Sequence, residues 1–126
     1  MNELPTPTPR EVDILKILWE QGPSSVRTVY RQLLAQEPEL AYNTVQTMLR
    51  LMETKGLVSH ELEGRTFIYT ARFSRDQSTA RFLDQVFDGA AAQLVQSLLR
   101  DERISAEELE QIKRLIATAR LKGSHR

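Results

Sequence analysis

Apolar residues recur every three to four positions through three stretches of this chain, switch to two short β-branched and aromatic runs, then return to helical spacing. The first helical stretch opens on a capping box: Thr8-Pro9-Arg10-Glu11 supplies an N-cap hydroxyl, a proline at N1 and a glutamate at N3. Val12, Leu15, Leu18 and Trp19 are expected on one buried stripe. Ile14 and Ile17 fall off it, which predicts packing on a second element. Gln21-Gly22-Pro23 ends the helix. Ser25 caps a second helix of about 11 residues, with Val29, Leu33 and Leu34 as its buried stripe. Glu37-Pro38 stops it. The third helix is expected over 42–55, with Gly56 just past its end. Residues 58–62 and 66–70 read as strands, and Glu63-Gly64 as the turn between them. Helix, helix, helix and hairpin, joined by short connections, is the order of a winged helix-turn-helix, expected over 8–72.

Downstream the spacing is helical throughout. Ser74-Arg75-Asp76-Gln77 is a second capping box, leading to Phe82, Leu83, Val86 and Phe87, with Gly89 as the stop. A short helix over 90–99 carries Leu94, Val95, Leu98 and Leu99. A third box, Ser105-Ala106-Glu107-Glu108, opens a helix bearing Leu109, Ile112, Leu115, Ile116 and Ala119, which stops at Gly123. The Pro-rich residues 1–7 are expected to be irregular, and Ser124-His125-Arg126 to fray. The predicted fold is therefore mainly α: a winged helix-turn-helix of three helices plus a β-hairpin wing, followed by a C-terminal helical arm over 74–123.

Composition narrows the chemistry. The 126 residues leave room for one domain, or for one small domain with an appendage. No run approaches the roughly 18 apolar residues of a membrane span. The first residues lack the basic start and apolar core of a signal peptide, so the cytoplasm is the expected location. Zero cysteines exclude disulfides, thiolate metal sites and cysteine nucleophiles. His60 and His125 are too few and too far apart to suggest a metal site, and read as surface histidines. No cofactor or small-molecule substrate is expected. Nor is an enzyme, since phosphate-binding glycine loops, nucleophile–base pairs and metal-ligand spacings are all missing.

Net charge does not advertise a nucleic-acid partner. Lys and Arg number 17, as do Asp and Glu, and within 1–73 eight basic side chains face nine acidic ones, a net of −1. Strong basicity is the usual footprint of a DNA binder. A DNA reading must therefore rest on placement. On a wheel of the third helix, Val45, Met48, Leu49 and Met52 share one side. Asn43, Gln46, Thr47, Arg50 and Thr54 share the other, with Thr44 at the flank. Every group on that outer side can donate a hydrogen bond, and none is acidic. Amides pair with adenine edges, threonine methyls meet thymine methyls, and arginine reaches guanine or phosphate. A plain solvated face would show the same pattern. Two further residues lean toward DNA: Ser25, capping a helix start whose N–H groups can hold a phosphate, and Arg65, at the hairpin tip. The bland alternatives are an ordinary cap and a solvated turn residue.

Several stretches resemble the penicillinase-repressor family of the BlaI/MecI/CopY type. These are Pro9-Arg-Glu-Val-Asp-Ile-Leu-Lys-Ile-Leu-Trp19, Tyr42-Asn-Thr-Val-Gln-Thr-Met-Leu-Arg50, Glu53-Thr-Lys-Gly-Leu-Val58 and Gly64-Arg-Thr-Phe-Ile-Tyr69. Phe87-Asp-Gly89, Leu94-Val95 and the acidic last helix join them, so the likeness covers nearly the whole chain. It implies a homodimeric transcriptional repressor on an inverted-repeat, double-stranded DNA operator, released by proteolysis or another signal. A membrane sensor metalloprotease is the implied partner. Carried across, the DNA contacts are Asn43, Thr44, Gln46, Thr47 and Arg50, with Ser25 and Arg65 on the backbone and Tyr42 opening the matching segment. Three features depart from the family. Ser97-Leu98 stands where the best-known members are cut at Asn-Phe, a cysteine-rich copper motif is missing, and Leu51 occupies a position where many members have arginine.

The apolar content of the arm points to a second copy of the chain. Helices of about 10–18 residues are not stable unpacked. A segment of 50 residues cannot by itself bury Phe82, Leu83, Val86, Phe87, Leu94, Val95, Leu98, Leu99, Ile112, Leu115 and Ile116. A two-fold interface covers the same patch on both chains. A monomer whose arm folds back is the alternative. Two other functions fit the same elements: a ligand-responsive winged-helix regulator of the MarR type, and a winged-helix protein-interaction module.

Overall fold

The computed structural model describes residues 6–123. Within the Pro-rich start, residues 1–5 lie outside the described residues, and so do 124–126 with His125. The described chain forms two compact units, 1–81 and 82–126, whose boundary falls inside a helix.

In the first unit, α1 (Pro9–Gln21) begins at the expected capping box. The Glu11 N–H donates to Thr8 Oγ1 at 3.2 Å, and the Thr8 N–H donates to Glu11 Oε1 at 3.0 Å. Its buried residues are Glu11, Ile14, Leu15 and Leu18, so Ile14 replaces the expected Val12 and Trp19, which are half-buried. The stripe is turned because α1 packs on more than one element, and because a charged residue belongs to it. Glu11 accepts from Lys55 Nζ at 2.6 Å across 44 residues, which lets the carboxylate be buried.

A two-residue strand, β1 (Ser24–Ser25), follows, then α2 (Val26–Leu34), with Val26, Val29 and Leu33 buried and Leu34 half-buried. α3 (Tyr42–Thr54) buries Val45, Leu49 and Met52 and ends in a Schellman motif. Leu57 N–H bonds Met52 C=O, Gly56 N–H bonds Glu53 C=O, and Gly56 takes φ 85°, which a side chain would resist.

β2 (Val58–Glu63) and β3 (Thr66–Ala71) pair antiparallel, with His60 opposite Tyr69, Leu62 opposite Phe67 and Glu63 opposite Thr66. Glu63 thus belongs to the strand, and the turn is Gly64-Arg65. Gly64 at φ 66° followed by a residue of negative φ fits a type II′ turn, and leaves Arg65 at the tip. β1 pairs with the other edge of β3, Ser24 opposite Tyr69 and Ser25 opposite Ile68, giving a sheet of order β1-β3-β2. Three helices on one small sheet, with a hairpin projecting from it, make a winged helix-turn-helix. Tyr69 and Phe73 complete its core, and Trp19 Nε1 donates to the Phe73 carbonyl at 2.8 Å.

α4 (Arg75–Phe87) starts at the Ser74–Gln77 box, with both reciprocal hydrogen bonds formed. α5 (Ala91–Arg100) and α6 (Ala106–Gly123) complete the chain. Ser105 Oγ accepts from the Glu108 N–H at the start of α6. Among the described residues of the second unit none is fully buried.

The Glu11–Lys55 pair carries a pH prediction. Burial, the largest influence on the Glu11 carboxyl, raises its pKa. The hydrogen bonds from Lys55 and Thr8, together with the Lys55 charge, outweigh it and hold the group below its ordinary value. Its stabilising contribution is therefore present above the ordinary glutamate pKa of about 4.3 and is lost as pH falls through the lower folded-state value. Glu11→Gln should cost about 1–3 kcal/mol at pH 7. In urea unfolding, the gap from wild type should hold from pH 7 down to the ordinary glutamate pKa of about 4.3 and narrow below it; a gap constant to pH 3 would remove the ionised Glu11 from the account.

Candidate nucleic-acid interface

The outer side of α3, the start of α2 and the hairpin wing meet around a concavity of about 520 Å³. Ser25, Val26 and Arg27 line it from the start of α2, Tyr42, Gln46 and Arg50 from α3, and Arg65, Thr66, Phe67 and Tyr69 from the wing. Five expected DNA-contacting residues, Ser25, Tyr42, Gln46, Arg50 and Arg65, are thereby brought together. Asn43 and Thr47 are exposed on α3 outside this lining. Thr44 lies on the other flank of the helix, in a second depression with Arg10 and residues 36–41.

Charge placement resolves the puzzle of a net-negative segment. Glu11 is paired with Lys55, Glu37 with Arg10 and Glu53 with His60. Arg27, Arg50 and Arg65, from three different elements, share the concavity, and among its described lining residues none is acidic. A polyanion approaching this face meets three guanidinium groups and, among the described lining residues, no carboxylate. In a cleft of one sign, such charges reinforce one another.

The start of α2 adds to this. Ser25 is the N-cap and its Oγ accepts from the Thr28 N–H at 3.1 Å. The other N–H groups of that first turn have no carbonyl within the helix to bond. Arg27 sits among them, where the helix dipole disfavours a cation. An anion at this end would relieve that cost. Its guanidinium also lies 5.8 Å from the Tyr42 ring centre, and Tyr42 meets Tyr30 edge-on at 5.4 Å. Arg27 was not among the expected contacts, although a cation two residues after a capping serine is a signal the sequence carries.

Sequence reasoning also passed over Tyr69 and His60. Burial pushes the Tyr69 phenol above its ordinary pKa and the Glu53 charge adds to this, while the Arg50 guanidinium opposes it. The phenol is therefore neutral at physiological pH and can donate. His60, expected as a bland surface residue, is half-buried and bonded to Glu53. Among the described residues, no group of three or more His, Cys, Asp or Glu side chains is placed to hold a metal, and no helix is long and apolar enough to cross a membrane.

Fold and site together define a winged helix-turn-helix protein with a cationic concavity between α3 and the wing. Residues 7–118 match the penicillinase repressor family, and the chain belongs to it. It is 24% identical over 120 residues to the penicillinase repressor of Bacillus licheniformis, covering 92% of this chain and 93% of that protein. The solution structure of the DNA-binding domain of the repressor BlaI superposes with a TM-score of 0.52 at 27% identity, over 61% of this chain and 93% of that one. A MarR family protein from Bacillus stearothermophilus shares the fold, with a TM-score of 0.51 at 20% identity over 94% of this chain and 76% of that one.

Proposed function

We propose that this chain is a cytoplasmic, homodimeric transcriptional repressor that reads an inverted-repeat operator. In this reading residues 8–72 bind DNA and 74–123 pair the two copies. The observation that carries it is the convergence of Gln46 and Arg50 with Arg27 and Arg65 on one concavity without an acidic lining residue. α3 enters the major groove, where Asn43, Gln46 and Thr47 face base edges. The α2 start and the wing hold backbone phosphates on either side.

Pairing is supported by what the arm leaves uncovered. Phe82, Val86, Val95, Leu99, Leu115 and Ile116 are each 43% to 68% exposed, and Leu83, Phe87, Leu94, Leu98 and Ile112 are half-buried. Apolar surface of this extent marks an interaction site. Release comes from proteolysis or another signal, and the Asn-Phe pair at which the best-known family members are cut is replaced here by Ser97-Leu98. Ser97 and Leu98 lie within α5 and are both half-buried, so a protease, such as a membrane sensor metalloprotease, would reach this segment only after α5 opens locally.

The wing provides the test. Arg65→Ala should weaken binding to a palindrome selected from randomised duplexes and to random DNA alike. It should lower the slope of log affinity against log salt by about one unit, as expected for one lost phosphate contact. Equal slopes for variant and wild type would take the wing off the DNA backbone.

A further inference from the structure

We propose that Glu53 and His60 are positioning residues for DNA binding: their ion pair fixes the wing against helix three, so that affinity for DNA falls as pH rises. This rests on the reading above, in which α3 and the wing engage one duplex.

The geometry is that of a strap between two elements. Glu53 belongs to the last turn of α3, seven residues after Gln46 and three after Arg50. His60 is the third residue of β2. Its Nδ1 lies 2.7 and 2.9 Å from the two oxygens of the Glu53 carboxylate, to which the ring N–H donates. The imidazole stacks on Phe67, with centres 4.1 Å apart and planes 6° apart, and lies 5.6 Å from the Tyr69 ring. Phe67 stands two residues from Arg65 on the strand that leaves the turn. One imidazole thus joins the carboxylate of the reading helix to the strand that carries the wing tip.

The other charged neighbours do not compete for the ring. From α3, Arg50 acts electrostatically on Tyr69, as Glu53 also does; from β3, the facing titratable group is the Tyr69 phenol. On the opposite face of β2, Arg72 Nε donates to Ser59 Oγ, and Glu61 alternates to that same face. Histidine changes charge between about pH 5 and 8. When the imidazole is protonated, Glu53 faces a cation that also stacks on an aromatic ring. When it is neutral, a single weaker hydrogen bond remains, and the wing tip is held less firmly relative to Gln46 and Arg50. Part of the binding free energy then goes into ordering it.

The test is operator affinity by fluorescence anisotropy between pH 5.5 and 8.0 at constant ionic strength. It uses the full chain and the selected palindrome. Wild type should loosen by about threefold to fivefold across this range, the scale of a part-exposed ion pair. Glu53→Gln and His60→Gln should both give flat profiles near the wild-type value at high pH. Arg65→Ala should be weak and flat at every pH, because the contact that the strap positions is gone. Glu53→Gln retains the histidine, so a slope that survives in it would mean that protonation acts without the Glu53 carboxylate, at His60 itself or at His125, and the strap would be wrong. A flat wild-type profile, or a full slope in Arg65→Ala, would equally overturn it. A wild type that binds no duplex at any pH would remove the DNA reading, and this proposal with it. Normal binding that Gln46→Ala and Arg65→Ala weaken, without the pH effect, would remove the strap alone.

Discussion

Leu99→Asp is expected to convert the protein to monomers in sedimentation and to lower affinity for a palindromic operator about a hundredfold or more. Leu99 lies on α5 and is 46% exposed, with Val95 one turn before it at 43%. Leu98, its neighbour, is half-buried, so an aspartate there would disturb the chain's own packing as well as any interface. At Leu99 the change leaves the internal packing of α5 in place. In a dimer that covers this face, however, it would bury a carboxylate without water and without a cation. Such a charge costs several kcal/mol. With two heads joined, the second half-site is met at a local concentration on the order of millimolar; with the heads separate, each binds alone. The winged-helix unit has its own core, from Ile14 to Phe73, and should melt as before. A Leu99→Asp protein that sediments as a dimer and binds the palindrome normally would take the arm out of assembly.

Gln46→Ala and Arg50→Ala are each expected to cost about 1–3 kcal/mol on the operator, without loss of folding. Both side chains leave α3 on the side away from Val45, Leu49 and Met52, which hold the helix to the core. Alanine also raises intrinsic helix propensity slightly. Gln46→Ala should relax preference at one base pair and leave random DNA untouched, because an amide reading a base edge contributes nothing on the wrong sequence. Arg50 separates two roles: loss at one guanine with an unchanged salt slope means base reading, whereas uniform loss with a slope lower by about one means a phosphate contact. Unchanged affinity in both variants, with helicity intact, would disqualify α3 as the reading element.

The helices and strands were legible in the sequence because their start and stop signals are local: Thr8 with Glu11, Ser74 with Gln77, Gly56 past the end of α3. What escaped depends on partners distant in the chain. Ile14 displaced Val12 from the core because Glu11, charged and therefore assumed to be outside, is buried against Lys55. β1 could not be read, since two serines have no strand signal and pair only because Ile68 and Tyr69 lie alongside. The same holds for the site. The wheel selected Asn43, Gln46, Thr47 and Arg50 from periodicity alone, but periodicity cannot bring Arg27 beside Arg65, nor His60 against Glu53. Those meetings are made by the hairpin folding back toward α3.

The mutual cancellation of Glu11 with Lys55 and Glu37 with Arg10 has a consequence at the scale of the chromosome. Arbitrary sequence holds proteins through their cations, and a genome offers on the order of 10⁶–10⁹ such competing positions. A molecule whose formal charges total zero, with Arg27, Arg50 and Arg65 gathered on one small face, is expected to linger less on that background than a strongly basic one. Fewer molecules are then sequestered by bulk DNA, so a low copy number is enough to keep a handful of operators occupied. By the same token, destroying a modest number of molecules empties those operators, since bulk DNA holds little reserve to refill them.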